Sequence, residues 1–146
     1  MQRPILAMMY DFDHTLSPRE MQEYAFIPAL GMAPEAFWAR CRQTALAHGM
    51  DDILAYMLLM LELSRGKQLV TRDTLTALGK SVAFFDGVET WFDRVNDYAR
   101  RCGLAAEHYI ISSGLREIIQ GTAIAGAFKR IYAASFCYDD AGVPYW

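Results

Sequence analysis

The sequence has no apolar run long enough to span a bilayer. Its most apolar segment, Ile53 to Leu61, is about half the length of a membrane-crossing helix. Nor does it open like a secreted protein: one arginine precedes the first apolar run, which leads into Asp11 with no small-residue cleavage site. Cysteine is scarce. Cys41, Cys102 and Cys137 are odd in number, widely spaced and form no CxxC pair. That argues against a disulfide framework or a zinc site and for reduced thiols. An excess of positive charge is also lacking: with a net charge of −3 the chain offers a polyanion no electrostatic attraction. These absences set the expectation of a soluble, cytoplasmic protein with no membrane partner and no nucleic-acid partner. No internal repeat or low-complexity segment is visible.

What is present is enough for a packed core. The chain has 146 residues, 53% of them hydrophobic and 21% charged, the size of one domain or of a core with a small insertion. The stretch that organises it is ILAMMYDFDHTL, residues 5 to 16. An apolar run, Ile5 to Tyr10, ends abruptly in Asp11 and Asp13. A short apolar run bounded by polar residues predicts a buried strand. Open parallel α/β sheets place their ligands at the carboxyl ends of such strands. Side chains alternate along a strand, so both carboxylates can share a side.

After Leu16 the pattern turns helical. A helix is predicted around Glu20 to Leu30, before Gly31, and another from Pro34 to His48, stopped by Gly49. Asp51 or Asp52 caps a third, running to about Ser64, and Thr71 caps a fourth, running to Leu78. The third is apolar nearly all round and reads as the centre of an all-helical block, or otherwise as an exposed dimerisation face.

The sequence then switches again. Asp86-Gly87-Val88-Glu89 has the form of a capping box opening a helix from Val88 to Cys102. His108 to Ile111 reads as a second strand, Leu115 to Gln120 as the start of a helix and Arg130 to Tyr138 as a third strand. Strands alternating with helices imply an α/β fold with right-handed crossovers. The fold class is therefore a partial doubly wound parallel sheet with an inserted all-helical cap. The core comprises residues 1–16 and 85–146, and the cap residues 17–84.

Two elements carry chemistry. Asp11-Phe12-Asp13-His14-Thr15 puts two carboxylates at a strand end, where Mg²⁺ prefers one or two carboxylates completed by phosphate and water. Ile110-Ile111-Ser112-Ser113-Gly114 runs a strand into a helix through small residues, so that unpaired backbone N–H groups would favour an anion. Ser112 or Ser113 serving merely as a helix cap is the plainer alternative.

On these two motifs, and on the helical insertion between them, the chain resembles the haloacid dehalogenase superfamily, in particular its phosphatases with a helical cap such as phosphoserine phosphatase. The resemblance spans the chain in topology and about ten residues in motif. It implies a Mg²⁺-dependent hydrolase of a small phosphorylated metabolite. Asp11 would be the nucleophile that forms an aspartyl-phosphate, and Asp13 the general acid and then base. The Asp11 side chain and the Asp13 carbonyl would ligate Mg²⁺, and Ser112 would bind phosphate with the amides of Ser113 and Gly114 nearby. Glu20 lies where phosphoserine phosphatases contact the substrate amine, although the first turn of a helix favours acids anyway. Asp13 should have a raised pKa through crowding by Asp11. It also argues against the dehalogenase branch, in which attack on carbon needs no such acid. His14 reads as a turn residue. A non-catalytic phosphate- or metal-binding module is the alternative from another class.

The family also carries a lysine beside the phosphorylated aspartate and a later acidic pair. The lysines here are Lys67 and Lys80, within the inserted block, and Lys129, which precedes the predicted third strand. Asp139-Asp140-Ala141-Gly142 reads as a turn. The expectation is a chain cut after its third core strand, weakly active or inactive by itself. Its first strand would expose an edge that self-associates or is covered by something else.

Overall fold

The apolar run after Pro4 forms strand β1, Ile5–Tyr10, as predicted. Helical elements fill the chain from residue 21 to residue 81, before helix α5, Val88–Arg101, strand β2, Ala105–Leu115, helix α6, Arg116–Gln120, and strand β3, Phe128–Ala134. This computed structural model describes residues 3–145. The strands form one parallel sheet in the order β1-β2-β3, with Ile5 opposite Ala105 and Tyr10 opposite Ile110. An α/β fold with a parallel sheet is therefore present, with the helical block inserted directly after the first strand.

Within that block the stop and start signals act where expected. Helix α2, Pro34–His48, has a proline in its first turn and ends on Gly49 in the left-handed conformation, φ 60°. Helix α3, Asp52–Ser64, is capped by the Asp51 side chain, which accepts from the Ile53 N–H at 2.8 Å. Helix α4, Arg72–Leu78, starts at a reciprocal capping box between Thr71 and Thr74. By contrast, the helix predicted over Glu20 to Leu30 is broken into a 3₁₀ turn, Met21–Glu23, and a single α-turn, α1, Phe26–Ala29. Ala25 is non-helical there (φ −141°, ψ −37°), and Pro28 lacks the N–H that a continuous helix would use.

Three further expectations are corrected. The capping box at Asp86 does not form: Gly87, at φ 87°, occupies the cap position and α5 starts without a side-chain cap. The second strand extends to Leu115, so Ser112, Ser113 and Gly114 belong to strand rather than to a helix start. The third strand ends at Ala134, where the Ser135 hydroxyl bonds Glu117 and the chain leaves the sheet. Beyond it Asp139 forms the predicted turn, its Oδ1 accepting from the N–H groups of Ala141 (3.0 Å) and Val143 (2.8 Å).

Block and sheet share one core, with Phe12, Phe26, Phe37, Leu59, Met60 and Leu75 in a single cluster with Ile110, Leu115, Ile118 and Ile119. Burying such side chains contributes roughly 1.5–3 kcal/mol each. Tyr56, Met57, Leu59 and Met60 of α3 are buried, which puts that helix at the centre of the block. At the crossing of α4 and α6 the backbones touch: a Cβ on Gly121 would lie 1.7 Å from the Thr76 carbonyl oxygen, and one on Gly79 would lie 2.3 Å from that of Ile118. Only glycine fits at that crossing. Among the described residues no single helix is long and apolar enough to cross a membrane.

The expectation that β1 is buried is also corrected. It is an edge strand whose Ile5 and Met9 are 55% and 65% exposed. One neighbour, β2, covers one side, and Leu6 and Met8 of β1 share the lining of a cavity with Trp91, Val95 and Tyr98 of α5.

Candidate active site

Because β1 and β2 run parallel with Tyr10 beside Ile110, the two motifs leave adjacent strands at the same end of the sheet. Phe12, fully buried, anchors the first. Its carbonyl accepts from the N–H groups of Leu16 (2.9 Å) and Ser17 (3.1 Å), and more weakly from that of Thr15 (3.3 Å). The reversal passes through His14 at φ 58°, the one left-handed non-glycine among the described residues, which fits its reading as a turn residue.

The two aspartates receive opposite environments. Asp11 is exposed, and the Thr15 hydroxyl donates to its Oδ2 at 3.3 Å. Asp13 is buried, 9% exposed, and its Oδ1 accepts the Met21 N–H at 2.9 Å. Burial first, then the Glu20 carboxylate, push the Asp13 pKa up to about 8, while Asp11 adds the smallest effect. The shift expected from crowding by Asp11 is therefore present, with a different leading cause. A shift in that direction suits a carboxyl that is to hold a proton and donate it.

The second motif touches the first through Gly114. A Cβ there would sit 3.0 Å from Asp13 Oδ2 and 2.1 Å from the Met21 methyl carbon, so a larger residue would have to displace the end of the Met21 side chain. The Gly114 N–H donates to Ser112 Oγ (3.0 Å) and the Leu115 N–H points at Met21 Sδ (3.2 Å). Helix α6 begins only at Arg116, with Leu115 in the cap position and no side-chain cap. Of the two amides expected to be free for an anion, that of Gly114 is thus engaged, and neither Ser112 nor Ser113 caps the helix.

The helical block roofs this end of the sheet over a cleft of about 470 Å³, lined among others by His14, Glu20, Trp38, Tyr56, Ser113 and Gly114. Glu20 precedes the 3₁₀ turn and pairs with His14 Nε2 at 3.3 Å. The Tyr56 hydroxyl donates to the Ser113 carbonyl at 2.7 Å, and the Trp38 indole N–H to Glu23 at 2.7 Å. Gln22, 1% exposed, also lines the cleft, and its Oε1 is buried with no hydrogen-bond partner among the described residues.

Met21, Tyr56, Trp38 and Gln22 are the residues that sequence reasoning missed. Tyr56 left a signal, the one hydroxyl within the apolar stretch Ile53 to Leu61. Met21 left none, since its role depends on a contact with residue 115.

No lysine bonds Asp11 among the described residues. Lys67 donates to the Leu30 carbonyl (3.1 Å), Lys80 lies in the 3₁₀ turn Gly79–Ser81, and Lys129 pairs with Glu107. Lys129 lies within β3 and not ahead of it, which corrects its predicted place.

Comparison with known proteins bears on this geometry. Residues 8–146 match the family of haloacid dehalogenase-like hydrolases. A curated protein of Borreliella burgdorferi, described only as uncharacterized, is 26% identical over 143 residues, which are 90% of this chain and 50% of that protein. The chain thus spans about half the length of this curated relative. A phosphoserine phosphohydrolase-like protein from Francisella tularensis superposes with a TM-score of 0.60 at 18% identity, covering 99% of this chain and 64% of that one. A phosphoserine phosphatase solved as a phospho-aspartyl intermediate analogue gives 0.59 at 14% identity, covering 97% and 62%. At such identities these two likenesses show a shared fold.

Proposed function

The chain belongs to the haloacid dehalogenase-like hydrolases, and from that premise we propose that it carries the nucleophile, the acid and the phosphate-binding loop of a Mg²⁺-dependent phosphatase for a small phosphate monoester. The observation that carries this reading is a buried Asp13, held by the Met21 N–H, two residues from an exposed Asp11 at the end of β1.

In the proposed reaction an Asp11 carboxylate oxygen attacks phosphorus and the bond from phosphorus to the alcohol oxygen breaks. Asp13 gives its proton to the departing oxygen. A water then attacks the aspartyl-phosphate, Asp13 takes that water's proton, and Asp11 is regenerated with release of phosphate. The need for an acid on the leaving oxygen favours phosphate over the 2-halo acids of the dehalogenase branch. Ser112 and the neighbouring amide of Ser113 would hold the phosphate oxygens. Glu20, at the cleft wall beside His14, would face the alcohol portion of the substrate.

The residues present fit Mg²⁺ in part. Among the described residues no three His, Cys, Asp or Glu side chains converge on one point. Mg²⁺ needs fewer: one or two oxygen ligands from the chain, with water and phosphate supplying the rest. The exposed Asp11 carboxylate and the Asp13 carbonyl would be those ligands. The ion, when bound, cancels the repulsion between a carboxylate nucleophile and a phosphate anion.

A second reading, a module that binds phosphate or metal without turnover, is favoured by one observation, the absence of any lysine bonded to Asp11 among the described residues. Trapping separates the two. With Mg²⁺ and beryllium fluoride, ¹⁹F NMR should show a bound fluoride signal that vanishes in Asp11→Asn. Retention of that signal in the variant removes the nucleophile assignment. A bound signal without hydrolysis of p-nitrophenyl phosphate favours the binding module.

A further inference from the structure

We propose that Gln22 is a specificity-determining residue: its side-chain amide oxygen accepts a hydrogen bond from an O–H or N–H group on the alcohol portion of the substrate. The inference rests on the phosphatase reading for the place of the phosphate, and adds the chemical class of the alcohol attached to it.

Gln22 sits in the middle of the 3₁₀ turn Met21–Glu23, which is tied down on both sides of it. The Met21 N–H donates to Asp13 Oδ1 at 2.9 Å, and Glu23 accepts the Trp38 indole N–H at 2.7 Å. Gln22 therefore directly follows the residue that Asp13 holds. In the proposed reaction Asp13 protonates the departing oxygen, while Ser112 and Ser113 hold the phosphate. The part of the substrate nearest Gln22 is then the group attached to that oxygen.

Two observations single out this residue. Gln22 is 1% exposed and yet borders the cleft of about 470 Å³. Its Oε1 is buried and has no hydrogen-bond partner among the described residues. Buried polar groups are almost always paired, because an unpaired one forfeits its bonds to water without replacement. Other polar groups of the wall are already engaged: Glu20 with His14, Glu23 with Trp38, and the Tyr56 hydroxyl with the Ser113 carbonyl. Arg42 and Asp52 also line the cleft, but both are exposed and water can serve them. The terminal torsion of a glutamine is soft, so a turn of the amide presents Oε1 to a molecule in the cleft.

A hydroxyl or an amino group on the alcohol would complete Oε1. A hydrocarbon chain in the same place would keep it orphaned and shut off from water. The residue thus acts against simple alkyl phosphates as much as in favour of donor-bearing ones. Trp38, Ile53 and Tyr56 give the carbon skeleton apolar contact that does not tell these alcohols apart.

The test is calorimetric titration of the 146-residue chain, with Mg²⁺ present, against inorganic phosphate and three esters of one shape: propyl, 2-hydroxyethyl and 2-aminoethyl phosphate. Both donor-bearing esters should bind about tenfold tighter than propyl phosphate, the effect of one hydrogen bond. Gln22→Met keeps the length of the side chain and removes the amide. It should bring the three esters within about twofold of one another and leave the affinity for inorganic phosphate unchanged. The melting temperature should stay the same or rise, because an unpaired polar group has left the interior. Gln22→Leu carries the same comparison should the methionine variant fold poorly. Equal affinities of the native chain for all three esters, with phosphate bound, overturn the inference and leave the phosphate site standing. So does an advantage of the 2-aminoethyl ester alone that survives Gln22→Met, which assigns recognition to charge. A fall in melting temperature in both variants makes the amide a structural group and overturns it too. Failure to bind phosphate or any ester removes the phosphatase reading itself, and this inference with it.

Discussion

The two ends of β1 meet different surroundings. At its carboxyl end the chain enters a region whose buried residues are held from more than one direction. Phe12 is fully buried, Asp13 is bonded by Met21, and Gly114 fits against both Asp13 and Met21 with no space for a methyl group. Along its flank the same strand lies bare, with Ile5, Leu6 and Met9 exposed and nothing among the described residues bonded to its outer edge. Apolar character is the same in both places. What differs is the number of neighbours the fold brings, and those neighbours decide which substitutions matter.

Mutations on the two sides sharpen that contrast, the largest effect first. Asp11→Asn should lower any measured phosphoryl transfer by orders of magnitude while leaving stability within about 0.5 kcal/mol, because Asp11 is exposed and lightly bonded; full activity in the variant breaks the account of that end. Gly121→Ala, at the backbone contact with Thr76, should destabilise by about 3 kcal/mol or more in urea melts, since the obstructing atom is main chain. Gly114→Ala should be milder, about 1–3 kcal/mol, because the Met21 side chain can move aside. It should also weaken phosphate binding. Met9→Lys on the bare flank should change thermal stability of the monomer by no more than about 0.5 kcal/mol; a loss comparable to that of Gly121→Ala would mean that the flank is not free.

pH separates the regions further. Asp13 has a folded pKa raised to about 8, above the ordinary carboxylate value. The folded state therefore holds a proton that the unfolded state releases. The stabilisation from this group is fully present below about pH 4 and is lost as pH rises toward 8. Asp13→Asn should flatten stability across that window, as followed by melting temperature from pH 5 to 9. Unchanged pH dependence would show that Asp13 is ionised in the folded chain.

The parts legible in the sequence were those fixed by local chemistry. Gly49 ends α2, Asp51 and Thr71 cap α3 and α4, and Ile5 to Tyr10 form a strand that delivers Asp11 and Asp13 to a site. What was not legible depends on partners distant in sequence. The length of β2 follows from Leu115 pairing with Ala134 of β3, and no periodicity in residues 105–120 encodes that partner. Asp86 looked like a cap because its spacing to Glu89 is right, yet Gly87 takes the cap position. The exposed edge of β1 was expected from the resemblance, whereas its own apolar run had predicted a buried strand. Glu20, more than Asp11, sets the acidity of Asp13 because the broken helix after Arg19 folds it back toward the strand end.

The most direct measurement is a ¹³C NMR titration of the Asp13 carboxyl carbon in the folded chain, assigned by comparison with Asp13→Asn. The account predicts a midpoint near 8, moving downward in Glu20→Gln. A midpoint near the ordinary carboxylate value of about 4 would contradict it, and would leave the pair Asp11 and Asp13 without the proton that the proposed chemistry requires.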